Sequence, residues 1–213
     1  MQRRLRASQG TFVPKPLLPV IDELVATVLS QHTSDTNSER AFAKLKASFP
    51  SWQQVADAPV EQVASAIRGG GIADRKARRI QQILSAIEHR EGSLDLSRLH
   101  DLDDAAAEAY LLSLPGVGPK TAACVLAFSM GRPAFPVDTH VHRVAIRLGW
   151  IKPNTTADRA YELLAQRIPP GIGYDLHLAM ITHGRTICRA RQPRCGTCVL
   201  QDLCAYGSVT WPR

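Results

Sequence analysis

No apolar run in the 213-residue chain approaches the length needed to span a membrane. The N-terminal MQRRLRASQG is basic, but no apolar core follows it, so it does not read as a secretory signal. These two absences lead to the expectation of a cytoplasmic or nucleoid protein with no membrane role. Aromatic residues are few, at 6%, and no pair of alternating apolar stretches reads as partnered strands. Acidic residues are in the minority: 19 Asp and Glu against 26 Lys and Arg leave a net charge of +7. That balance suits a polyanionic partner. Cysteine is scarce along most of the chain, and four of the five fall between positions 188 and 204.

What is present is helical patterning. Hydrophobic content is 45% and mean hydropathy is −0.12, as in ordinary globular chains. Apolar residues recur at helical spacing almost throughout, which gives an all-α class. Residues 1–19 read as an irregular arm containing Pro14, Pro16 and Pro19. Helices are expected over 20–31, 35–49, 55–68 (one or two short pieces), 72–90, 103–112, 119–130, 139–149, 155–168 and 174–186. Within 72–90, Arg75, Lys76, Arg78 and Arg79 form a charge run that reads as a solvated helix face.

The stretch Leu114–Asp138, LPGVGPKTAACVLAFSMGRPAFPVD, organises the rest. Gly116, Val117 and Gly118 make a tight turn between two helices, because glycine tolerates positive φ. Pro119 suits a first helical position, where its missing N–H has no intrahelical partner to lose. The N–H groups bared at such a helix start can hold a phosphate. Lys120 follows in the first turn. A cation there opposes the helix dipole, which disfavours the ammonium relative to the neutral amine that a nucleophile needs. A solvated surface lysine is the plain alternative. Asp138 precedes the next helix and reads as its N-cap, a role compatible with offering its other oxygen to a substrate.

Cys188, Cys195, Cys198 and Cys204 are spaced C-x6-C-x2-C-x5-C. Four clustered thiols argue for metal rather than disulfides in such a protein. Zinc ribbons usually pair two C-x2-C knuckles, and only one is present. Iron–sulfur clusters accept four cysteines at mixed spacings. Chemistry alone leaves zinc and a cluster close. Cys124 reads as a small buried hydrophobe.

LPGVGPKTAA followed by FPVDTHVHRVA, together with PRCGTC between the clustered cysteines, resembles the endonuclease III family of helix-hairpin-helix DNA glycosylases. The resemblance runs from about Val20 to Cys204. It implies a six-helix domain at 20–130 and an iron–sulfur domain formed by 1–19 and 131–213, with a cleft between them. It also implies a [4Fe–4S] cluster on the four cysteines, with Lys120 attacking a deoxyribose and Asp138 assisting. In the family a glutamine after the first helix fills the gap left by an everted base; here that register holds His32, a departure from the family, and Gln31 lies one residue earlier, so either side chain is a candidate for that role. A polar helix-end pair is the structural alternative. Ile72, just past Gly69-Gly70-Gly71, falls where the family places an apolar wedge, with burial in the core as the alternative. Arg189, Arg191 and Arg194, inside the cysteine loop, would grip phosphates. The expected activity is excision of damaged bases, oxidised pyrimidines by family default, with β-elimination at the abasic site. TFVPKPLLPVIDELVATVLSQHTSD and AYLLSLPGVGPKTAACV also resemble a branch that includes plant methylcytosine glycosylases. The expected partner is double-stranded DNA carrying damaged bases or abasic sites, bound by a monomer. A non-catalytic module of the same fold, recognising distorted or abasic DNA, is the other reading.

Overall fold

A computed structural model describes residues 1–12, 17–169 and 171–210. The expected arm at Pro14 and Pro16 lies outside the described residues. Among those described, all regular structure is helical. Among the described residues, no helix is long and apolar enough to cross a membrane. The chain divides into two compact units, Leu17–Arg132 and the pair Met1–Pro16 with Pro133–Arg213.

In the unit Leu17–Arg132, α2 (Val20–Ser30) is the hub. Leu24, Val25, Val28 and Leu29 are fully buried, so apolar side chains cover most of its circumference. It packs on α3 (Asp35–Ser48), α6 (Ala73–Glu91) and α8 (Pro119–Phe128). The Ser34 hydroxyl caps α3 by accepting from the Asn37 N–H at 3.3 Å. Two short helices, α4 (Trp52–Asp57) and α5 (Val60–Ala66), pack on α6. The buried stripe of α6 is Lys76, Ala77, Ile80, Ile83, Leu84 and Ile87, at helical spacing. Gly92, in the left-handed region at φ 69°, ends that helix. Asp103 caps α7 (Asp104–Leu112) by accepting from Ala106 N–H at 2.7 Å. Six residues, Ser113–Gly118, link α7 to α8.

In the other unit, the first residues are not irregular. Residues Gln2–Gln9 form α1, and Leu5 is its one buried side chain. Its anchor is polar and distant in sequence. The buried carboxylate of Asp175 accepts from Gln2 Nε2 at 2.9 Å, Arg6 Nε at 2.8 Å and the Phe12 N–H at 2.9 Å. Asp175 lies in α11 (Gly173–Thr186), which packs on α1 and on α9 (Thr139–Arg147). Phe135, Val141, Val144, Leu164, Leu176 and Met180 form the core. Thr156 caps α10 (Ala157–Ala165), and α12 (Ala205–Thr210) follows the cysteine loop.

Burial pushes the Asp175 carboxyl up, but the three donors outweigh it and hold it below its ordinary value. A carboxyl depressed in the fold adds stability above its unfolded pKa, about 3.9, and that stability disappears as pH falls through the folded value. Asp175→Asn is therefore predicted to lose about 1–3 kcal/mol at neutral pH, the scale of a hydrogen bond to a charged group. Its thermal midpoint should also fall less than the wild type's between pH 7 and pH 3. Parallel acid limbs in the two proteins would remove Asp175 as the anchor.

Candidate functional site

The hairpin turn is built by backbone geometry. Gly116 sits at φ 68°, and the Val117 N–H returns to Leu114 O at 3.2 Å. A side chain on Gly116 would also collide with the Arg79 guanidinium, whose Nη1 lies 1.8 Å from the position a Cβ would take. Val117 is buried, so its side chain faces the core and only its backbone is offered outward. Gly118 caps α8 in extended geometry and Pro119 occupies its first turn. Lys120 is the second residue of α8 and is half-buried.

Gln31 is brought to the same place. Its Nε2 donates to the hydroxyl of Thr121, the buried neighbour of Lys120, at 3.4 Å. His32, by contrast, is exposed on the turn after α2 and has left-handed backbone, φ 53°. Ile72 is 48% exposed at the start of α6, again left-handed at φ 42°. It is not a core residue.

The charge run behind Ile72 is not a uniformly solvated face, as its composition suggests. Arg75 and Arg78 are exposed, Arg79 is half-buried against the hairpin, and Lys76 is buried. The Lys76 ammonium donates to Leu29 O at 2.6 Å and Gly70 O at 2.7 Å. Burial pushes its pKa below the ordinary lysine value. Its place on the apolar stripe of α6 was the available sign in the sequence.

In the second unit, Asp138 is the N-cap of α9, half-buried, with Oδ1 accepting from the Val141 N–H at 2.7 Å. The cap engages one carboxylate oxygen and fixes the carboxylate plane. The segment leading to it is held too. His177 Nδ1 donates to Pro136 O at 2.8 Å, and its ring meets Phe135 edge-on at 6.0 Å between centroids. His177 is 41 residues from Pro136, and no local pattern announces that contact.

All four clustered cysteines, with Arg147 and His183, line one cavity of about 350 Å³ including its open mouth. None is in a disulfide. Arg147 Nη1 donates to Cys188 Sγ at 3.3 Å and to Arg189 O at 2.6 Å. The Cys204 thiol lies 3.1 Å from Arg147 O, and Cys198 Sγ lies 3.6 Å from His183 Nε2. Burial pushes the Cys195 and Cys198 thiols above their ordinary values, and charge on neighbouring cysteines adds to the shift. Four ionised thiols in such a place need a cation among them. Among the described residues, no three His, Cys, Asp or Glu group as one metal ion would need. Four cysteines at mixed spacings around one cavity are a donor set that an iron–sulfur cluster accepts. Arg189, Arg191 and Arg194 are exposed on the same loop, and Cys124 is buried in α8.

Residues 25–170 match the family described as "HhH-GPD superfamily base excision DNA repair protein". Residues 188–204 match the "iron-sulfur binding domain of endonuclease III". An Arabidopsis thaliana protein provisionally named a DNA glycosylase is 42% identical over 166 residues, covering 78% of this chain and 57% of that protein. This chain thus spans little more than half of that relative. Endonuclease III of Thermotoga maritima is 36% identical over 183 residues, covering 86% of this chain and 81% of that protein. A solved structure of a trapped endonuclease III–DNA covalent intermediate superposes with a TM-score of 0.82 at 29% identity, covering 98% of this chain and 94% of that one. The C-terminal cysteine loop carries a [4Fe–4S] cluster.

Proposed function

We propose that this chain, which belongs to the endonuclease III family of the HhH-GPD superfamily of base excision DNA repair proteins, is a bifunctional DNA glycosylase and abasic-site lyase. The observation that carries the reading is Lys120: a half-buried amine in the first turn of α8, directly behind the Gly116-Val117-Gly118 turn. The likeness to a trapped covalent endonuclease III–DNA intermediate supports a nucleophilic amine. Double-stranded DNA is the partner, bound by a monomer wherever the DNA is housed.

A damaged base is out of reach in the stack, so its nucleotide is turned out of the duplex. The neutral amine of Lys120 attacks C1′ of the sugar. The C1′–N bond breaks and the base leaves with its electron pair. Asp138, ionised, stabilises positive charge on the sugar and accepts a proton from the attacking nitrogen. The C1′–O4′ bond then breaks, O4′ takes the proton back from Asp138, and a protonated Schiff base is left between Lys120 and C1′. That cation acidifies the C2′ proton. Its loss expels the 3′ phosphate and cuts the strand. Gln31 or His32 occupies the vacated space, Ile72 enters the stack as an apolar wedge, and the hairpin N–H groups hold a phosphate.

Cys188, Cys195, Cys198 and Cys204 hold the cluster. Its contribution is to close the loop on which Arg189, Arg191 and Arg194 meet phosphates. Oxidised pyrimidines are the proposed substrates.

Asp138→Asn keeps the cap, since the amide oxygen still accepts from Val141 N–H, but removes the charge. Single-turnover base excision is predicted to slow by about 100- to 10,000-fold, the usual contribution of a positioned acid–base group, with little change in DNA affinity. An unchanged single-turnover rate would remove Asp138 from the mechanism.

A further inference from the structure

Two turns of the unit Leu17–Arg132 carry non-glycine residues in left-handed backbone: His32 after α2 and Ile72 before α6. A branched residue such as Ile is rarely found there. Each such residue costs on the order of 1–3 kcal/mol and persists only where its surroundings over-determine it. Both side chains are exposed, so their own packing does not impose the conformation. The backbones of the two turns approach each other, since a Cβ built on Gly71 would lie 3.7 Å from His32 O.

One side chain ties these turns together. Lys76 is 3% exposed. Its Nζ donates to Leu29 O at 2.6 Å, three residues before His32, and to Gly70 O at 2.7 Å, two residues before Ile72. Leu29 O belongs to the last turn of α2, where the helix can no longer supply a donor. A buried ammonium with two backbone acceptors from different turns is a cross-brace.

We infer that Lys76 is a positioning residue that locks the Gln31–His32 turn and the Gly71–Ile72 turn into one rigid two-pronged element for opening the duplex. The inference rests on the function proposed above. The prongs insert together because one ammonium fixes their spacing, and strained backbone aims each tip outward. Ordering two independent loops on the DNA would otherwise consume binding free energy in every turnover. Lys76 touches no reacting atom; it acts through His32 and Ile72.

The test compares two abasic substrates in single-turnover cleavage: a duplex, which must be opened, and a single-stranded oligonucleotide, which need not be. Lys76→Met keeps the buried stem and removes the donors. Cleavage of the duplex site should fall by about tenfold or more while the single-stranded rate stays within about twofold, as expected when positioning rather than chemistry is lost. Lys76→Gln, too short for one end group to reach both carbonyls, should show the same split, and it keeps the test decisive if Lys76→Met does not fold. Equal losses on both substrates, or no loss on the duplex, overturn the inference. If the wild type cleaves neither substrate, the proposed function fails and takes the inference with it.

Discussion

Lys120→Gln is expected to bind abasic duplex DNA with nearly wild-type affinity and to cleave it roughly 10,000-fold more slowly or worse, the scale of losing a nucleophile that acts as a unit with its partners. Glutamine keeps most of the stem and a polar end. It cannot form a Schiff base, so the step that acidifies the C2′ proton is lost. Affinity should survive because it comes mainly from contacts to phosphates. In the proposed function those contacts come from the hairpin backbone and the loop arginines, none of which this substitution touches. The position also argues against an ordinary structural lysine: a cation in the first turn of α8 opposes the helix dipole. Residual cleavage at the wild-type rate would mean that another amine does the chemistry.

The second large effect is expected at the cysteine loop. Cys198→Ser should yield protein with little bound iron and without the visible absorbance of an iron–sulfur cluster. The cavity borders the core of its unit, with Leu148 and Leu200 among its lining residues. Burial pushes the Cys195 and Cys198 thiols up, so without a cluster their ionised forms are disfavoured there. The thermal midpoint should fall by about 10 °C or more, equivalent to about 3–5 kcal/mol for a chain of this size and well within what a structural metal site contributes. DNA affinity should fall as well, with a shallower salt dependence, because Arg189, Arg191 and Arg194 lose their scaffold. Retention of iron and unchanged salt dependence would contradict this account of the loop.

How much of this was legible in the sequence depends on the range of the interactions. Caps and turns are local. Asp103, Asp138 and the Gly116–Gly118 turn could be read because each is specified within about four residues. The helices followed for the same reason, since their apolar stripes are periodic. The N-terminal helix did not. Only Leu5 is buried on it, so there is no stripe to read, and its anchor at Asp175 lies 163–173 residues away. Lys76 was misread for a different reason. Its four charged neighbours on the chain give the local composition of a solvated face, while its own position continues the buried row of Ile80, Ile83, Leu84 and Ile87. His177 and Arg147 were missed because they act on carbonyls and a sulfur about 41 residues away. Of the hairpin residues, Val117 turned out to offer only its backbone, a consequence of burial that the turn motif does not encode.

The central claim is that the amine of Lys120 becomes covalently attached to the sugar of an abasic site. The most direct measurement is to incubate the wild-type protein with a duplex carrying one abasic site, reduce with borohydride, digest the adduct and map the modified residue by mass spectrometry. A stable adduct with the sugar on Lys120 is expected. No adduct despite binding in a gel shift, or an adduct mapped to a different amine, would contradict it.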